Sequence, residues 1–310
     1  MTDLMQAVSR LKAVLGEKLQ EKMPLAGFTT AQIGGSAAGL VIADSVASLE
    51  EAISACWQLD IPCKVLGNAS NVLISDRGFD GVIVINRAKS IRFNLDAEPV
   101  TVLAASGSNL GGLARQAGIR GLSGLEWAAT VPGTVGGAVY GNAGAHGSDI
   151  QANLEMAEIL HPISGKEKWT CGQFEYAYRS SVLKRTRSRA VILTALFRLT
   201  QSTKEEVMAR MDKFNARRRA TQPPGASMGS MFKNPAGDFA GRLIEAAGLK
   251  GQRIGGAEIS SMHANFMVNH ENATASDVYR LIRLAQQKVK EQSGIKLELE
   301  IELLGEWDEI

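Results

Sequence analysis

The stretch that most constrains this chain is Val131–Asp149, VPGTVGGAVYGNAGAHGSD. It contains six glycines and no charged side chain before Asp149. Glycine loses more conformational freedom on folding than any other residue, so a segment this rich in it must be held by something outside itself. Exposed backbone N–H groups in such a loop can bind an anion. The pattern matches neither GxGxxG nor GxxxxGK[ST], so it supports neither a Rossmann nor a P-loop assignment.

A second loop of the same kind, Gly67–Asn71 with the sequence GNASN, directly follows the strand-like segment Cys63–Leu66. Taken alone, either loop is more typical of an ordinary tight turn than of a binding site. Two uncharged loops rich in glycine, asparagine and serine, each beside a predicted strand, favour one large cofactor that carries phosphate groups.

The length of 310 residues exceeds what one hydrophobic core usually sustains, which predicts two or three domains. The chain is 45% hydrophobic and 21% charged, as soluble globular proteins are, and its net charge of +2 indicates no nucleic-acid partner. The three cysteines form no CxxC pair and the four histidines show no ligand spacing. We therefore expect a reducing compartment, no disulfide and no metal site.

The N-terminal residues predict a cytoplasmic protein. Residues 1–13 include Asp3 and lack the continuous apolar run of a signal peptide. The uncharged run 127–148 is long enough to span a bilayer, but Pro132 and the glycines argue against its burial in hydrocarbon. We expect no membrane association.

Hydrophobic spacing predicts the secondary structure. The segment Ser48–Glu51 is typical of a capping box, which predicts a helix from there to about Leu59. Apolar residues at helical spacing predict a helix over 276–292. The following segment, Ile295–Leu303 or IKLELEIEL, alternates strictly and predicts a half-buried strand.

Arg179 follows an aromatic cluster and has two interpretations. Its guanidinium could stack on the aromatic rings at a surface, which the sequence alone favours. It could also offer its planar fork to a carboxylate or phosphate.

Ser230 lies in the motif GSMFKNP and could deliver a proton, because a hydroxyl both donates and accepts. The absence of GxSxG disfavours a hydrolase nucleophile, and a structural role is equally compatible with the motif. The alternating residues Glu298, Glu300 and Glu302 predict a solvent-exposed acidic row, which would matter only if a cleft closed over it. His263 is more typical of a capping residue than of a base.

Taken together, these segments resemble the UDP-N-acetylenolpyruvoylglucosamine reductase (MurB) family. The motifs that carry the resemblance follow the family's order along nearly the whole chain: PLAGFTTAQIGG, LGNASNVLISD, GLSGLEWAATVPGTVGGAV, NAGAHG, YRSSVL, ARRRATQPPGASMGSMFKNP, AGRLIEAAGLKG, RIGGAEIS, HANFMVN and LELEIELLG. The resemblance implies an α+β fold, with a two-subdomain FAD-binding module of the vanillyl-alcohol-oxidase (PCMH) type and a C-terminal α+β substrate domain. The expected ranges are 1–88 and 89–200 for the two FAD-binding subdomains and 201–310 for the substrate domain.

The resemblance also implies an activity: NADPH-dependent reduction of UDP-N-acetylglucosamine enolpyruvate to UDP-N-acetylmuramate, through non-covalent FAD, in peptidoglycan precursor synthesis. Arg179 would bind the substrate carboxylate, Ser230 would donate a proton, and Glu300 would support the enol intermediate. The residues expected to hold the UDP-sugar are Tyr178, Lys233 and Asn234. The residues expected to hold FAD are Gly67, Asn68, Ala69, Ser70, Asn71, Val131, Pro132, Gly133, Thr134, Gly136, Gly137, Asn142 and Gly144.

The sequence departs from the family pattern at three places near the flavin: Asn68-Ala69 replaces a glycine pair, Ala38 an aspartate and His146 a tyrosine. The short link from Ser181 to Ala190 resembles the subclass that lacks a substrate-covering insertion. Two alternatives stay open. Another flavoenzyme of this fold would often tether FAD through a histidine, for which His146 is the one histidine in the glycine stretch. A non-enzymatic nucleotide-sugar-binding protein would be colourless.

Overall fold

The computed structural model describes residues 2–308, and these fold as an α+β chain. Local sequence signals explain where its helices begin and end; in the last of them, Thr274 and Asp277 form a capping box and Gly294 ends the helix at φ 73°. The α-helices of this part of the chain are α1 (Thr2–Leu15), α2 (Val46–Gln58), α3 (Leu110–Ile119), α4 (Val135–Gly141), α5 (Val182–Arg185), α6 (Lys204–Thr221), α7 (Ala240–Ala246) and α8 (Ala275–Ser293).

The strands are short, and most belong to antiparallel pairs. In chain order they are β1 (Leu19–Pro24), β2 (Ser36–Ala43), β3 (Cys63–Leu66), β4 (Val72–Ile74), β5 (Phe79–Asn86), β6 (Ile91–Asn94), β7 (Thr101–Ala105), β8 (Leu122–Ser123), β9 (Gly144–Ala145), β10 (Ser148–Asp149), β11 (Leu154–His161), β12 (Gly165–Thr170), β13 (Val191–Arg198), β14 (Thr200–Gln201), β15 (Ala226–Ser230), β16 (Arg253–Ile254), β17 (Ala257–Ile259), β18 (Phe266–Asn269) and β19 (Glu302–Leu304).

Three larger sheets organise the described residues. The first has the order β1-β2-β5-β3, the second β12-β11-β13-β7-β6, and the third β15-β18-β17-β16. The second and third are antiparallel throughout. Two-stranded pairs join β9 to β10, β8 to β14 and, in parallel, β4 to β19.

Internal packing divides the chain into two compact units. The first comprises the residues up to Leu19 together with Val41–Gly67 and Ile83–Arg218, and the second comprises Gln20–Leu40, Asn68–Val82 and the residues from Arg219 onward. The three sequential domains expected from the sequence are a different division of the chain, and they stay a prediction.

Each unit has its own hydrophobic core. In the first unit, side chains of the five-stranded sheet pack with those of α3 and α4, among them Phe197, Leu113 and Val139. In the second unit, side chains of α7, α8 and the four-stranded sheet pack together, among them Ile244 and Leu281. The core residues of α8 recur at the helical spacing that the sequence predicts.

The predicted capping box at Ser48–Glu51 is wrong by three residues. Ser45 is the N-cap of α2; its hydroxyl accepts from the N–H of Ser48 at 3.1 Å, and the Ser48 hydroxyl accepts from the N–H of Ser45 at 3.0 Å. Serine can serve at either end of the box, so the pattern alone selected the wrong serine.

The predicted strand Ile295–Leu303 is also wrong. Regular strand structure is limited to β19, and before it Leu299 forms one isolated bridge with Phe232. The alternation describes burial only at Leu297 and Ile301, which are buried, and at Glu298, which is exposed. The residues Leu299, Glu300 and Glu302 are all half-buried. Alternation reports which way side chains face but not which backbone they pair with, and here the pairing partner changes along the segment.

Three further observations concern the residues that the structure describes. None of their helices is both long enough and apolar enough to cross a bilayer. They include no group of three or more histidine, cysteine, aspartate or glutamate side chains arranged to hold a metal ion. The cysteines Cys56, Cys63 and Cys171 are free thiols.

Candidate active site

The first half of the glycine stretch is held by the turn that follows β7. Thr134 is the N-cap of α4. The N–H of Val135 donates to Ser108 O at 2.9 Å and that of Gly136 donates to Ser106 O at 2.8 Å. This Ser106–Asn109 turn was not predicted to belong to the site, although its glycine and serines were a signal for such a role.

Two glycines in the predicted cofactor loops are fixed by close packing. A Cβ on Gly67 would lie 2.3 Å from Thr134 Oγ1, and a Cβ on Gly136 would lie 2.8 Å from Ser106 Cβ. Real Cβ atoms do not approach so closely, so only glycine fits at either place. Within the first unit, the end of β3 therefore lies directly against the N-terminal cap of α4.

The second half of the glycine stretch is held by residues 176–181. The Tyr176 hydroxyl donates to Val139 O at 2.8 Å, and the Ser181 hydroxyl donates to Tyr140 O at 2.6 Å. Both carbonyls belong to the last turn of α4, whose C=O groups have no partner inside the helix. Burial raises the pKa of Tyr176, which keeps its phenol protonated as a donor.

Asn142 ends α4 in the left-handed conformation at φ 48° and is 1% exposed. Its Nδ2 donates to Asp149 Oδ2 and to Ala177 O, each at 3.2 Å, and its Oδ1 accepts from the N–H of Gln151 at 3.1 Å. The side-chain amide thus supports the loop itself. The predicted contact between Asn142 and the cofactor would therefore be made by the Asn142 backbone.

Arg179 lies at the tip of a tight turn in which Ala177 and Ser180 exchange backbone hydrogen bonds of 3.0 Å. Its φ of 54° is unusual for a residue with a long side chain. Its Nη2 donates to Gly144 O at 2.5 Å, and its guanidinium lies 5.0 Å from the centre of the Tyr178 ring. The structure thus brings the YRSS motif and the glycine stretch together, and a strained backbone of this kind is often found at functional sites.

The loop before α4 fits a phosphate-bearing cofactor. No hydrogen bond joins the N–H of Gly133 or Thr134 to another residue of the described range 2–308. Gly137 is exposed, and a Cβ there would meet only Thr134 Oγ1, at 3.7 Å. Unpaired backbone donors beside an open glycine are the arrangement with which proteins bind anions. These residues would hold the FAD pyrophosphate that the family resemblance implies.

Gly137→Val should abolish flavin binding while the protein still folds. The fold has room for the added atoms, and valine favours a helix slightly more than glycine does, so α4 should not weaken. The branched side chain would instead occupy the open space beside Thr134, one of the two residues with a free N–H. Flavin per chain, measured by absorbance of the purified protein, checks this.

Gly141→Val is the matched control, because a Cβ at this end of the same helix meets nothing within 4 Å. It should keep its flavin. Gly136→Val would not be informative, since its clash with Ser106 would disturb the fold. Full flavin occupancy in Gly137→Val would remove this loop from the cofactor site.

Residues of the second predicted cofactor loop support the backbone of the second unit. Ala69 is buried and has φ 44°, a conformation that glycine adopts more readily, at the place where the family usually has a glycine pair. Asn71 Nδ2 donates to Glu300 O at 3.1 Å, and Asn71 O accepts from the N–H of Glu302 at 2.9 Å. Asn71 therefore fixes the backbone on both sides of Ile301, which the sequence did not predict.

Ser230 ends β15 directly after an irregularity in the sheet. Its neighbour Gly229 has φ 79°, and the register between β15 and β18 shifts between Ser227 and Ser230. Such bulges re-aim the side chains that follow them. The Ser230 hydroxyl has no hydrogen-bond partner among residues 2–308, and it lines a cavity of about 310 Å³ in the second unit.

Asn234 lines the same cavity, and its Oδ1 accepts from the N–H of Ala240 at 3.1 Å, at the start of α7. Lys233 lies outside the cavity lining. Its ammonium forms an ion pair of 3.6 Å with Glu298, and its N–H donates to Glu298 O at 2.9 Å. Both residues stay predicted substrate ligands.

The three glutamates of the predicted acidic row differ in environment. The side chain of Glu298 is 72% exposed and pairs with Lys233. Glu300 is half-buried, and its N–H donates to Met231 O at 2.9 Å, next to Ser230. Glu302 belongs to β19, opposite Val72. The expectation of an equivalent, solvent-exposed row is wrong, because the segment changes partners along its length.

Two histidines lie in well-defined surroundings. The His146 ring stacks on Phe214 at 4.1 Å and lies 3.1 Å from Thr130 Oγ1, and its partial burial lowers its pKa. His263 lines the Ser230 cavity, and its Nδ1 accepts from the N–H of Asn265 at 3.2 Å. Burial lowers the pKa of His263, so its ring is neutral at pH 7 and its Nε2 carries the proton.

Comparison with known proteins places this site in a family. The family model described as "FAD binding domain" matches residues 37–168, and the model described as "UDP-N-acetylenolpyruvoylglucosamine reductase, C-terminal domain" matches residues 221–304. A UDP-N-acetylenolpyruvoylglucosamine reductase of Bacillus velezensis is 40% identical over 289 residues, which cover 93% of this chain and 94% of the relative. One of Chloroflexus aurantiacus is 42% identical over 289 residues, with 91% and 96% coverage.

A solved structure agrees with these sequences. The crystal structure of UDP-N-acetylenolpyruvylglucosamine reductase (MurB) from Thermus caldophilus superposes with a TM-score of 0.78 at 33% identity, and the match covers 93% of this chain and 100% of that one. The predicted fold class, an α+β chain with an FAD-binding module followed by a C-terminal domain, is confirmed. The chain therefore belongs to the UDP-N-acetylenolpyruvoylglucosamine reductase (MurB) family of FAD-dependent oxidoreductases.

Proposed function

We propose that this protein reduces UDP-N-acetylglucosamine enolpyruvate to UDP-N-acetylmuramate with NADPH, in the cytoplasm, as a step of peptidoglycan precursor synthesis. The observation that carries the proposal is Ser230: a hydroxyl without a partner among the described residues, on a bulged strand end, in the wall of a cavity. A proton donor needs both a free hydroxyl and access to the substrate. FAD, when bound, supplies the carrier that takes hydride from NADPH and passes it to the terminal enolpyruvyl carbon.

The proposed role of Ser230 follows from the charge that this hydride creates. Addition at the terminal carbon leaves negative charge on the adjacent carbon and its carboxylate. That carbon must gain a proton, and Ser230 would donate it. Its hydroxyl is a weak acid in water, so the charged intermediate has to supply the driving force in a site that excludes water.

Arg179 and Glu300 are the other two proposed catalytic residues. A guanidinium binds a carboxylate through two parallel hydrogen bonds, which suits Arg179 to the substrate carboxylate. Its left-handed turn and its bond to Gly144 O hold it in one orientation. Glu300 would support the enol intermediate, and its backbone bond to Met231 keeps it beside the strand that carries Ser230. Tyr178, Lys233 and Asn234 are proposed to hold the UDP-sugar.

The surroundings of His146 support non-covalent FAD. Its ring is stacked on Phe214, and its Nε2 lies 3.1 Å from Thr130 Oγ1, so a covalent tether to flavin through that nitrogen would displace the contact with Thr130. Acid denaturation should release the flavin in free form. A flavin that stays with the precipitated chain would favour another flavoenzyme of this fold. We also propose that the protein acts without metal, nucleic acid or membrane.

An anaerobic two-step titration tests the proposed activity. The purified protein should be yellow, and NADPH should bleach its flavin absorbance. Addition of UDP-N-acetylglucosamine enolpyruvate should then restore the flavin absorbance, and the amount of flavin reoxidised should equal the amount of substrate consumed. UDP-N-acetylglucosamine without the enolpyruvyl group should not restore it. A colourless protein would contradict the proposal, and so would a bleached protein whose flavin absorbance does not recover after the substrate is added.

A further inference from the structure

Asn265 is tied to the two residues that follow Ser230. Its Oδ1 accepts from the N–H of Phe232 at 2.9 Å, and its Nδ2 donates to Phe232 O at 2.8 Å. Its own carbonyl accepts from the N–H of Met231 at 2.8 Å. The Asn265 side chain is 3% exposed, so these bonds lie away from water.

The amide of Asn265 here takes the place of a neighbouring strand. A strand would offer one acceptor and one donor to Phe232, and the Asn265 side chain offers both. On the opposite edge, Met231 O accepts from the N–H of Glu300 and the N–H of Lys233 donates to Glu298 O, each at 2.9 Å. Buried backbone groups need partners, and without Asn265 both groups of Phe232 would lose theirs.

Ser230 lies between a bulge and an anchored segment. Before it, Gly229 adopts φ 79° in the bulge, a conformation in which glycine is not strained. After it, Met231 and Phe232 are bonded to Asn265. Ser230 itself lies opposite Phe266 in the sheet, so the position of its hydroxyl in the cavity depends on that pairing together with the anchor that follows it.

We propose that Asn265 is a positioning residue for the reaction, which acts by fixing the strand end that carries the proton donor; this rests on the proposed role of Ser230. A donor must lie within about 3 Å of the carbon that it protonates. A displacement of about 1 Å can reduce a rate on the order of 10²-fold. Asn265 makes no contribution to hydride uptake from NADPH.

Asn265→Ala should slow substrate-driven recovery of flavin absorbance by about 10²-fold and leave bleaching by NADPH at the wild-type rate. Asn269→Ala is the matched control. Asn269 is the last residue of β18, whereas Asn265 directly precedes that strand. Asn269 also bridges two backbone groups, Ala31 O and the N–H of Ala273, each at 3.0 Å, but its side chain is not bonded to Met231 or Phe232. It should show wild-type rates in both steps.

The double variant Ser230→Ala/Asn265→Ala separates positioning from a general structural effect. If Asn265 acts through the Ser230 hydroxyl, its loss should slow recovery no further once that hydroxyl is absent. A full additional loss in the double variant, or an equal slowing of both half-reactions in Asn265→Ala, would overturn the proposal. Wild-type recovery in Ser230→Ala alone would instead overturn the proposed proton donor.

Asn265→Asp provides a second, nearly isosteric variant. Its carboxylate can still accept from Phe232 N–H but cannot donate to Phe232 O. It should bind flavin and show a selective loss in the substrate step. If neither Asn265→Ala nor Asn265→Asp retains flavin, Asn265 is a folding residue and the proposal fails.

Discussion

Ser230→Ala should slow the recovery of flavin absorbance by substrate roughly 10²–10⁴-fold, the range in which general acid catalysis contributes. Bleaching by NADPH should proceed at the wild-type rate, because Ser230 has no role in hydride uptake. The substitution removes a hydroxyl that has no hydrogen-bond partner among residues 2–308, so it should leave the fold intact.

Stopped-flow absorbance of the flavin measures the two steps of this variant separately. Ser230→Ala should bleach normally and then stay bleached when the enolpyruvyl substrate is added. Ser230→Cys places a more acidic donor in nearly the same position and should recover part of the rate. Recovery of Ser230→Ala at the wild-type rate would show that another group donates the proton.

Glu300→Ala should reduce turnover by roughly 10²–10³-fold, the loss typical when one group that stabilises developing charge is removed. The bonds of Glu300 to Met231 and Asn71 use its backbone, and alanine preserves them. The variant should therefore keep its fold and its flavin. Its defect, like that of Ser230→Ala, should fall on the substrate step.

Glu298→Ala and Glu302→Ala are the controls for Glu300. Glu298 forms an exposed ion pair with Lys233, and such a pair contributes little to the free energy of folding. The Glu298→Ala substitution should therefore affect substrate binding more than turnover. Glu302 is held in β19 by backbone pairing. Steady-state kinetics of the three variants decide between them, since equal losses in turnover would make the glutamates a structural face and remove the special role of Glu300.

Helices that are determined by residues close together in the sequence could be predicted from the sequence. The spacing of apolar residues in α8 depends on residues within a few positions of each other. The capping box of α2 is the exception that shows the limit, because Ser45 and Ser48 are chemically alike and only the fold determines which one is the N-cap.

The sequence also determined the family, and it predicted that the glycine stretch must be held from outside. Six glycines within Val131–Asp149 contribute few side-chain contacts, whatever the fold. Which groups hold the stretch was decided by the tertiary structure. The Ser106–Asn109 turn binds its start, and Tyr176, Ser181 and Arg179 bind its end.

Only the tertiary structure distinguished residues that the sequence pattern makes equivalent. Glu298, Glu300 and Glu302 alternate along one segment, yet their contacts differ. Glu298 forms an ion pair with Lys233, the N–H of Glu300 donates to Met231 O next to Ser230, and Glu302 pairs with β4. Asn265 carried no sequence signal of its own, because asparagine anchors to backbone groups far along the chain as readily as to local ones. Periodicity records the direction of a side chain, whereas hydrogen-bond partners distant in sequence are chosen by the packing of the whole unit.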